Sequence, residues 1–322
     1  MNLIEQLAEK VSRVYPSIVF PEGEDERILR AAQKLRSEGI LNPIIIGKRE
    51  EVEDTARNLS LEISDFNCID PSEYPHLDEL VEKLVERRNG KLSVEAAREL
   101  ILDPNYFGTM LVYTKKASGM VSGAVHTTGE TVRPALQIIK TKEGFSRTSG
   151  AFLMLRGPEI YLMADCAINI DPDSQALAEI AVLSEETARA FGMDPRVAML
   201  SFSTKGSASH DLVDKVRNAT EIAKKLNPNM KIDGELQFDA AFDRTVARKK
   251  APGSEVAGNA NVFIFPSLEA GNIGYKLAQR FGHMEAVGPI LQGLNAPVND
   301  LSRGCNEDEV YALAIITAAQ AL

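Results

Sequence analysis

The chain has 322 residues, more than one hydrophobic core usually serves, so two domains with a cleft between them are expected. Its 44% hydrophobic and 25% charged residues, with 22 glycines and 15 prolines, exclude the collagenous, disordered and disulfide-scaffold classes. The net charge of −10 excludes a chain-wide attraction to nucleic acid, and an anionic ligand would have to be met by local clusters of Arg, Lys and backbone N–H groups.

The opening segment MNLIEQLAEKV interleaves Glu5, Glu9 and Lys10 with its apolar residues. No stretch reaches the roughly 20 apolar residues that span a bilayer, so neither membrane anchoring nor export is expected. Ser17 to Phe20 predicts a short buried strand, followed by the turn Pro21-Glu22-Gly23. A helix follows with Ile28, Ala31, Ala32 and Leu35 on its inner face, stopped by Gly39 and Pro43. The apolar run Pro43 to Ile46, ending at Gly47, completes a strand–helix–strand unit of the kind that builds parallel sheets.

Residues 77 to 102 read as helical, with Leu80, Leu84 and Val85 on one face, Ala96, Ala97 and Leu100 on another, and a break at Asn89-Gly90. Beyond Pro104, Gly108, Gly119, Gly123 and Gly129 punctuate a stretch holding His126, Thr127, Thr128 and Arg133, too rich in glycine and hydroxyls for plain core. Phe152 to Leu155 and Ile160 to Met163 flank Arg156-Gly157-Pro158-Glu159 and predict an antiparallel hairpin, with a domain boundary just before it, near residue 143. Helices over Gln175 to Phe191 and Asp211 to Leu226 then alternate with strands at Val197 to Ser203 and Val262 to Phe265, so the second domain is α/β as well. The last helix, Asn306 to Leu322, should bury a stripe of Val310, Leu313, Ala314, Thr317 and Ala318.

Several catalytic signatures are missing: GxGxxG after a strand, GxxxxGK[ST], HExxH and GxSxG, which disfavours dinucleotide folds, P-loops, zincins and α/β-hydrolases. His76, His126, His210 and His283 show no metal-ligand spacing, and neither do Cys68, Cys166 and Cys305, so no structural or catalytic transition metal is expected. Three dispersed cysteines cannot all pair, which suits a reducing compartment, the cytoplasm.

Three segments crowd glycine, hydroxyl and charge together. In Pro297-Val298-Asn299-Asp300-Leu301-Ser302-Arg303-Gly304-Cys305, Ser302 and the backbone N–H groups entering the last helix form an anion or oxyanion site, with Arg303 beside it; the alternative is an ordinary helix cap and a solvated arginine. In Gly271-Asn272-Ile273-Gly274-Tyr275-Lys276, a strand leaves through a glycine turn into a helix whose Lys276 and Arg280 share one face, where open α/β sheets bind ligands. An exposed basic pair is the plainer reading. The hydroxyls of Ser201-Phe202-Ser203-Thr204-Lys205-Gly206-Ser207, Ser203 and Thr204 among them, suit phosphate and equally suit a solvated turn.

In chain order, VFPEGEDERILRAA, DPNYFGTMLV, SGAVHTTGETVRPALQIIKT, ADCAINIDPDSQALAEIA, AMLSFSTKGSA, FPSLEAGNIGYKLAQR and GPILQGLNAPVNDLSRGC resemble the phosphate acetyltransferase family over almost the whole length. The resemblance implies two α/β domains like those of isocitrate and isopropylmalate dehydrogenases, with the active site in the cleft. The first domain would be discontinuous, 1–142 plus 292–322, around a second at 143–291, and members are typically homodimers joined through that second domain. It implies acetyl transfer between coenzyme A and inorganic phosphate by direct attack of the thiolate on acetyl phosphate in a ternary complex, with coenzyme A as substrate and no tightly bound cofactor. Partners would be these small molecules, with no nucleic acid and no membrane.

Carried residue by residue, Ser302 and Arg303 match the family's Ser-Arg pair that binds acetyl phosphate and stabilises the tetrahedral intermediate. The family's base, an aspartate seven residues past that serine, is Glu309 here, with Asp308 just before it; either acid stands in a first helical turn that favours its ionised form. Arg133 matches an arginine associated with coenzyme A, Arg88 another that meets its nucleotide phosphate, with Arg87 adjacent in register. Lys276 and Arg280 resemble further coenzyme A contacts. Cys166 and Cys305 read as structural, since the substrate brings its own sulfur. The alternatives are a phosphate butyryltransferase, which differs in the acyl pocket, a metal- and nicotinamide-dependent 2-hydroxyacid dehydrogenase of the same architecture, and a noncatalytic module.

Overall fold

Asn2 and Glu5 cap α1 (Leu3–Ser12) reciprocally, each side chain taking the other's backbone N–H, in the computed structural model, which describes residues 2–322. β1 (Ser17–Phe20) buries Ile18, Val19 and Phe20 completely, and Asp25 caps α2 (Glu26–Ser37) by accepting the Arg27 N–H. The predicted stripe of α2 is buried, and Leu29 joins it. β2 (Asn42–Ile46), α3 (Arg49–Asn58) and β3 (Asn67–Ile69) continue the alternation. α4 (Leu77–Arg88) and α5 (Val94–Leu100) are separated as expected at Asn89, whose φ of 49° no helix continues through. Val81, not Val85, completes the buried face of α4, and of the alanines in α5 only Ala97 is buried.

The stretch after Pro104 is more regular than its glycines suggest. Asp103 accepts two backbone N–H groups and starts α6 (Pro104–Tyr113), with proline at the first position, where its missing N–H costs nothing. β4 (Gly119–Ser122) and α7 (Thr128–Pro134) follow, and α7 runs into one π-helical turn, Ala135–Ile139.

The chain then builds β5 (Ser149–Arg156), β6 (Glu159–Ala164), α8 (Ser174–Ala190), β7 (Val197–Leu200), α9 (Asp211–Leu226), β8 (Ile232–Leu236), α10 (Phe238–Phe242), α11 (Arg244–Lys250), β9 (Val262–Ile264), α12 (Leu268–Arg280) and β10 (Glu285–Gln292). It closes with β11 (Val298–Asp300) and α13 (Glu307–Gln320). Two α/β units result, one running to Lys142 and resuming at Leu294, the other Glu143–Gly293.

The first unit holds an all-parallel sheet ordered β11-β4-β1-β2-β3. β1, β2, β4 and β11 are buried, while β3 forms a more open edge; α13 packs on β4 and β1, with α1 and α2 against it. That double cover corrects the expected stripe on α13: Ala312, Ile315 and Ile316 are buried along with the predicted residues, because both faces of the helix meet protein. Each such large side chain, withdrawn from water, contributes about 2 kcal/mol.

The second unit holds a mixed sheet ordered β10-β5-β6-β9-β7-β8, in which β5 is antiparallel to both neighbours. The expected hairpin is present: Arg156 faces Glu159 across a Gly157-Pro158 turn. Phe152, Met154, Met163, Leu236 and Phe263 form its core beneath α12, with Tyr275 stacked on Phe152 at 4.0 Å between ring centroids. Two expectations are corrected here. β7 stops at Leu200: its neighbour β8 ends at Leu236, the Ser201 N–H makes the last bond to that residue's carbonyl, and the chain then turns away. Gly271 and Gly274 lie inside α12 rather than in a turn before it; a Cβ on Gly271 would stand 2.1 Å from the Asp165 carbonyl oxygen, so glycine there lets the helix touch backbone.

Among the described residues, no helix is long and apolar enough to cross a membrane.

Candidate active site

In a parallel sheet every strand ends on the same edge. The order β11-β4-β1-β2-β3 means that the chain leaves β1 toward β2 on one side while β4 and β11 lie on the other, so a switch point falls between β1 and β4. Loops 21–25, 123–127 and 301–306 all emerge at that edge.

Glu22, from the first loop, is buried and organises the second. Its carboxylate accepts the backbone N–H groups of Gly123, Ala124, Val125 and His126 at 2.8–3.2 Å and the His126 Nδ1 at 2.8 Å. Burial alone would raise its pKa, but these donors together hold it below the ordinary value, and Glu22 in turn raises that of His126. Gly123, at φ 109°, fits beside Asp300: a Cβ there would meet Asp300 Oδ1 at 2.4 Å. Asp300 itself is buried, with its pKa raised to about 6 by burial and by the nearby charge of Glu22, offset in part by Thr128 Oγ1 donating to its Oδ2 at 2.7 Å.

The third loop carries Ser302 and Arg303, both exposed. Ser302 Oγ accepts the Gly304 N–H at 3.3 Å, and the Arg303 guanidinium has no partner among the described residues. Arg27 holds this loop by donating to the carbonyls of Arg303 and Cys305 at 2.8 and 3.0 Å. The N-terminus of α13 is less open to an anion than the sequence suggested: Asn306 takes the Glu309 N–H, and three carboxylates crowd the first turn. Glu309 Oε2 accepts the Asn306 N–H at 3.1 Å, while Asp308 turns to Lys34 of α2 at 3.9 Å. Cys305 is buried, and burial pushes its thiol up to about 11, so it stays protonated near neutrality. Cys166 is buried too, with its thiol pushed well up.

The two adjacent arginines of α4 part ways. Arg87 donates to the carbonyls of Ile138 and Ile139 at 2.6 and 3.1 Å and so closes the π-helical turn, with Tyr113 beneath its guanidinium at 4.9 Å. Neither Arg88 nor Arg133 of α7 has a hydrogen-bond partner among the described residues, and the positive charges of both act on the Tyr106 hydroxyl, opposing the burial that raises its pKa.

In the second unit, Lys276 and Arg280 are exposed on α12, with Lys276 Nζ bonded to Asn272 Oδ1 at 2.9 Å. Ser203 and Thr204, offered by the sequence as phosphate ligands, are buried and engaged internally. Ser203 Oγ donates to Glu235 Oε1 at 3.1 Å and accepts the Ala208 N–H, while Thr204 Oγ1 donates to Gln237 Oε1 and accepts the Gln237 N–H. In this arrangement their hydroxyls hold the loop after β7. Asp165 does for the loop after β6 what Glu22 does in the first unit, accepting the N–H groups of Ala167, Ile168 and Asn169.

Glu22, Arg27 and Asp300 were not singled out from sequence. The available signal was charge set directly at the end of a short strand, in PEGEDER and VND.

The sequence matches the family described as Phosphate acetyl/butaryl transferase over residues 2–318. A phosphate acetyltransferase of Bacillus subtilis (strain 168) is 61% identical over 321 residues, 100% of this chain and 99% of the relative. Among solved structures, a phosphotransacetylase from Streptococcus pyogenes is 59% identical with a TM-score of 0.96, covering 99% of this chain and 98% of its own. The EutD phosphotransacetylase from Staphylococcus aureus is 58% identical with a TM-score of 0.95 at the same coverage.

Proposed function

Because the chain belongs to the phosphate acetyl/butaryl transferase family, we propose that it is an acyltransferase that moves an acetyl group reversibly between coenzyme A and inorganic phosphate. The observation that carries the reading is an unpaired, exposed guanidinium, Arg303, beside Ser302 at the switch-point edge of a parallel sheet, with the Glu309 carboxylate in the first turn of the helix that this loop enters. The acetyl rather than butyryl choice rests on relatives 57–61% identical over their full length that are named phosphate acetyltransferases.

In the forward direction a base takes the proton of the coenzyme A thiol, the sulfur attacks the acetyl carbonyl of acetyl phosphate, and the bond from that carbon to the phosphate oxygen breaks as phosphate leaves. Arg303, permanently charged and forked, grips the phosphate and the developing oxyanion, and Ser302 donates beside it. Glu309 suits the base better than Asp308. It leans back along the loop toward Asn306 and keeps one oxygen without a partner among the described residues, whereas Asp308 faces Lys34. Arg88 and Arg133, both near Tyr106 and both uncommitted, suit the coenzyme A phosphates, and Arg87 supports them by closing the adjoining turn. Lys276 and Arg280 are proposed as further coenzyme A contacts.

The same reading extends to a homodimer formed through the second unit. Ile273, Leu277 and Phe281, spaced along one face of α12 and 57%, 48% and 82% exposed, supply an apolar stripe for it. The finer likeness to isocitrate and isopropylmalate dehydrogenases and the cytoplasmic location belong to this proposal too; a discontinuous α/β unit and three free cysteines are in keeping with them.

The test is phosphate-dependent release of coenzyme A from acetyl-CoA, run beside butyryl-CoA. Wild type should turn over acetyl-CoA faster, and Arg303→Ala should lose roughly 100-fold or more in kcat/KM. Full activity in Arg303→Ala, or a preference for butyryl-CoA, would overturn the assignment.

A further inference from the structure

Arg27 stands in the first turn of α2, half-buried, and all five of its N–H donors are in use. Nε and one terminal nitrogen grip the Asp25 carboxylate at 3.0 and 2.7 Å, and that same terminal nitrogen donates to the Ala124 carbonyl at 2.8 Å. The other nitrogen donates to the carbonyls of Arg303 and Cys305. Among the described residues, these two bonds are the only ones that tie residues 302–305 to another part of the chain. The loop's remaining bonds are local, Cys305 N–H to the Ser302 carbonyl and Gly304 N–H to Ser302 Oγ.

We infer that Arg27 is a positioning residue for acyl transfer, fixing the Ser302–Arg303 loop against the loop that Glu22 organises. The inference rests on the assignment of Ser302 and Arg303 given above. With no donor to spare, Arg27 acts on the substrate only through the loop it holds. Its carbonyl partners sit on either side of Gly304, so losing them frees the backbone that aims the Arg303 side chain. Lysine cannot replace it, because one ammonium cannot serve three carbonyls and a carboxylate in a fixed fork.

A double-substitution cycle tests this, using Arg27→Ala and Arg27→Lys in the wild type and in an Arg303→Lys background whose residual rate keeps the second change measurable. Displacing a reacting group by about 1 Å can cost roughly 100-fold, so each Arg27 variant should lose roughly 10- to 100-fold in kcat in the wild type, with KM for coenzyme A unchanged. In the Arg303→Lys background the further loss should shrink toward none, while the thermal midpoint falls equally in both backgrounds. Losses that multiply, or a folded Arg27→Lys at full rate, sink the inference alone. Wild-type turnover by Arg303→Lys sinks the site assignment, and this inference with it.

Discussion

Glu309 and Asp308 are neighbours in sequence with opposite surroundings: one closes a helix cap, the other meets a lysine across solvent. Glu309→Gln keeps the cap's acceptor and removes only the basic oxygen, so kcat should fall by roughly 100-fold or more with the thermal midpoint near wild type. Asp308→Asn should fall less than twofold or so, since a surface pair is worth little. Steady-state kinetics on both variants decide it; the reverse ranking moves the base to Asp308. The Glu22–His126 pair makes a pH prediction. Glu22 raises the His126 pKa above its ordinary 6.5, so the pair's contribution through His126 is complete below that value and is lost as pH rises through the raised one. Glu22, held below its ordinary 4.5, gives up its own share only in acid, as pH falls through the lowered value. The midpoint gap between wild type and His126→Gln, about 1 kcal/mol in stability at pH 5.5, should therefore narrow by pH 8.5. Thermal unfolding at the two pH values measures it, and a gap that widens with pH would contradict the pairing.

At the scale of elements, the site edge depends on how closely loops after β4 and β11 approach. Gly123 combines a left-handed φ of 109° with backbone of Leu301 at 2.6 Å from any Cβ placed there. Gly123→Ala should destabilise the first unit by about 2 kcal/mol or more and separate the two loops. Gly129→Ala, in α7 with nothing closer than 4.0 Å, should be neutral or slightly stabilising. Calorimetry on the pair checks the contrast, and equal midpoints would show that the loops yield easily. Helices with one inner face were legible in sequence, as in α2 and in α9, whose limits Asp211 and Leu226 the periodicity marked. α6, α12 and α13 were read less well. Their glycines and apolar residues answer to contacts on two sides, and period alone carries no record of those.

For the whole molecule, the exposed stripe Ile273, Leu277 and Phe281 is too apolar to be left in water without consequence. If it joins two copies, Leu277→Glu should halve the mass measured by light scattering at micromolar concentration, while the thermal transition of each copy persists. A wild type that is already monomeric removes the dimer. The sequence by itself determined the α/β class, the family and the segments in which glycine, hydroxyl and charge are crowded, because hydrophobic period, turn residues and motif order are written locally. Only the tertiary structure decided which charges in those segments are free. Arg27 reaches a carbonyl 276 residues away and Glu22 an N–H 104 away, Arg87 is consumed by a turn while Arg88 is not, and Ser203 and Thr204 are turned inward. Hydrogen bonds between distant segments depend on the geometry of strand ends brought together by folding, and no spacing along the chain encodes that.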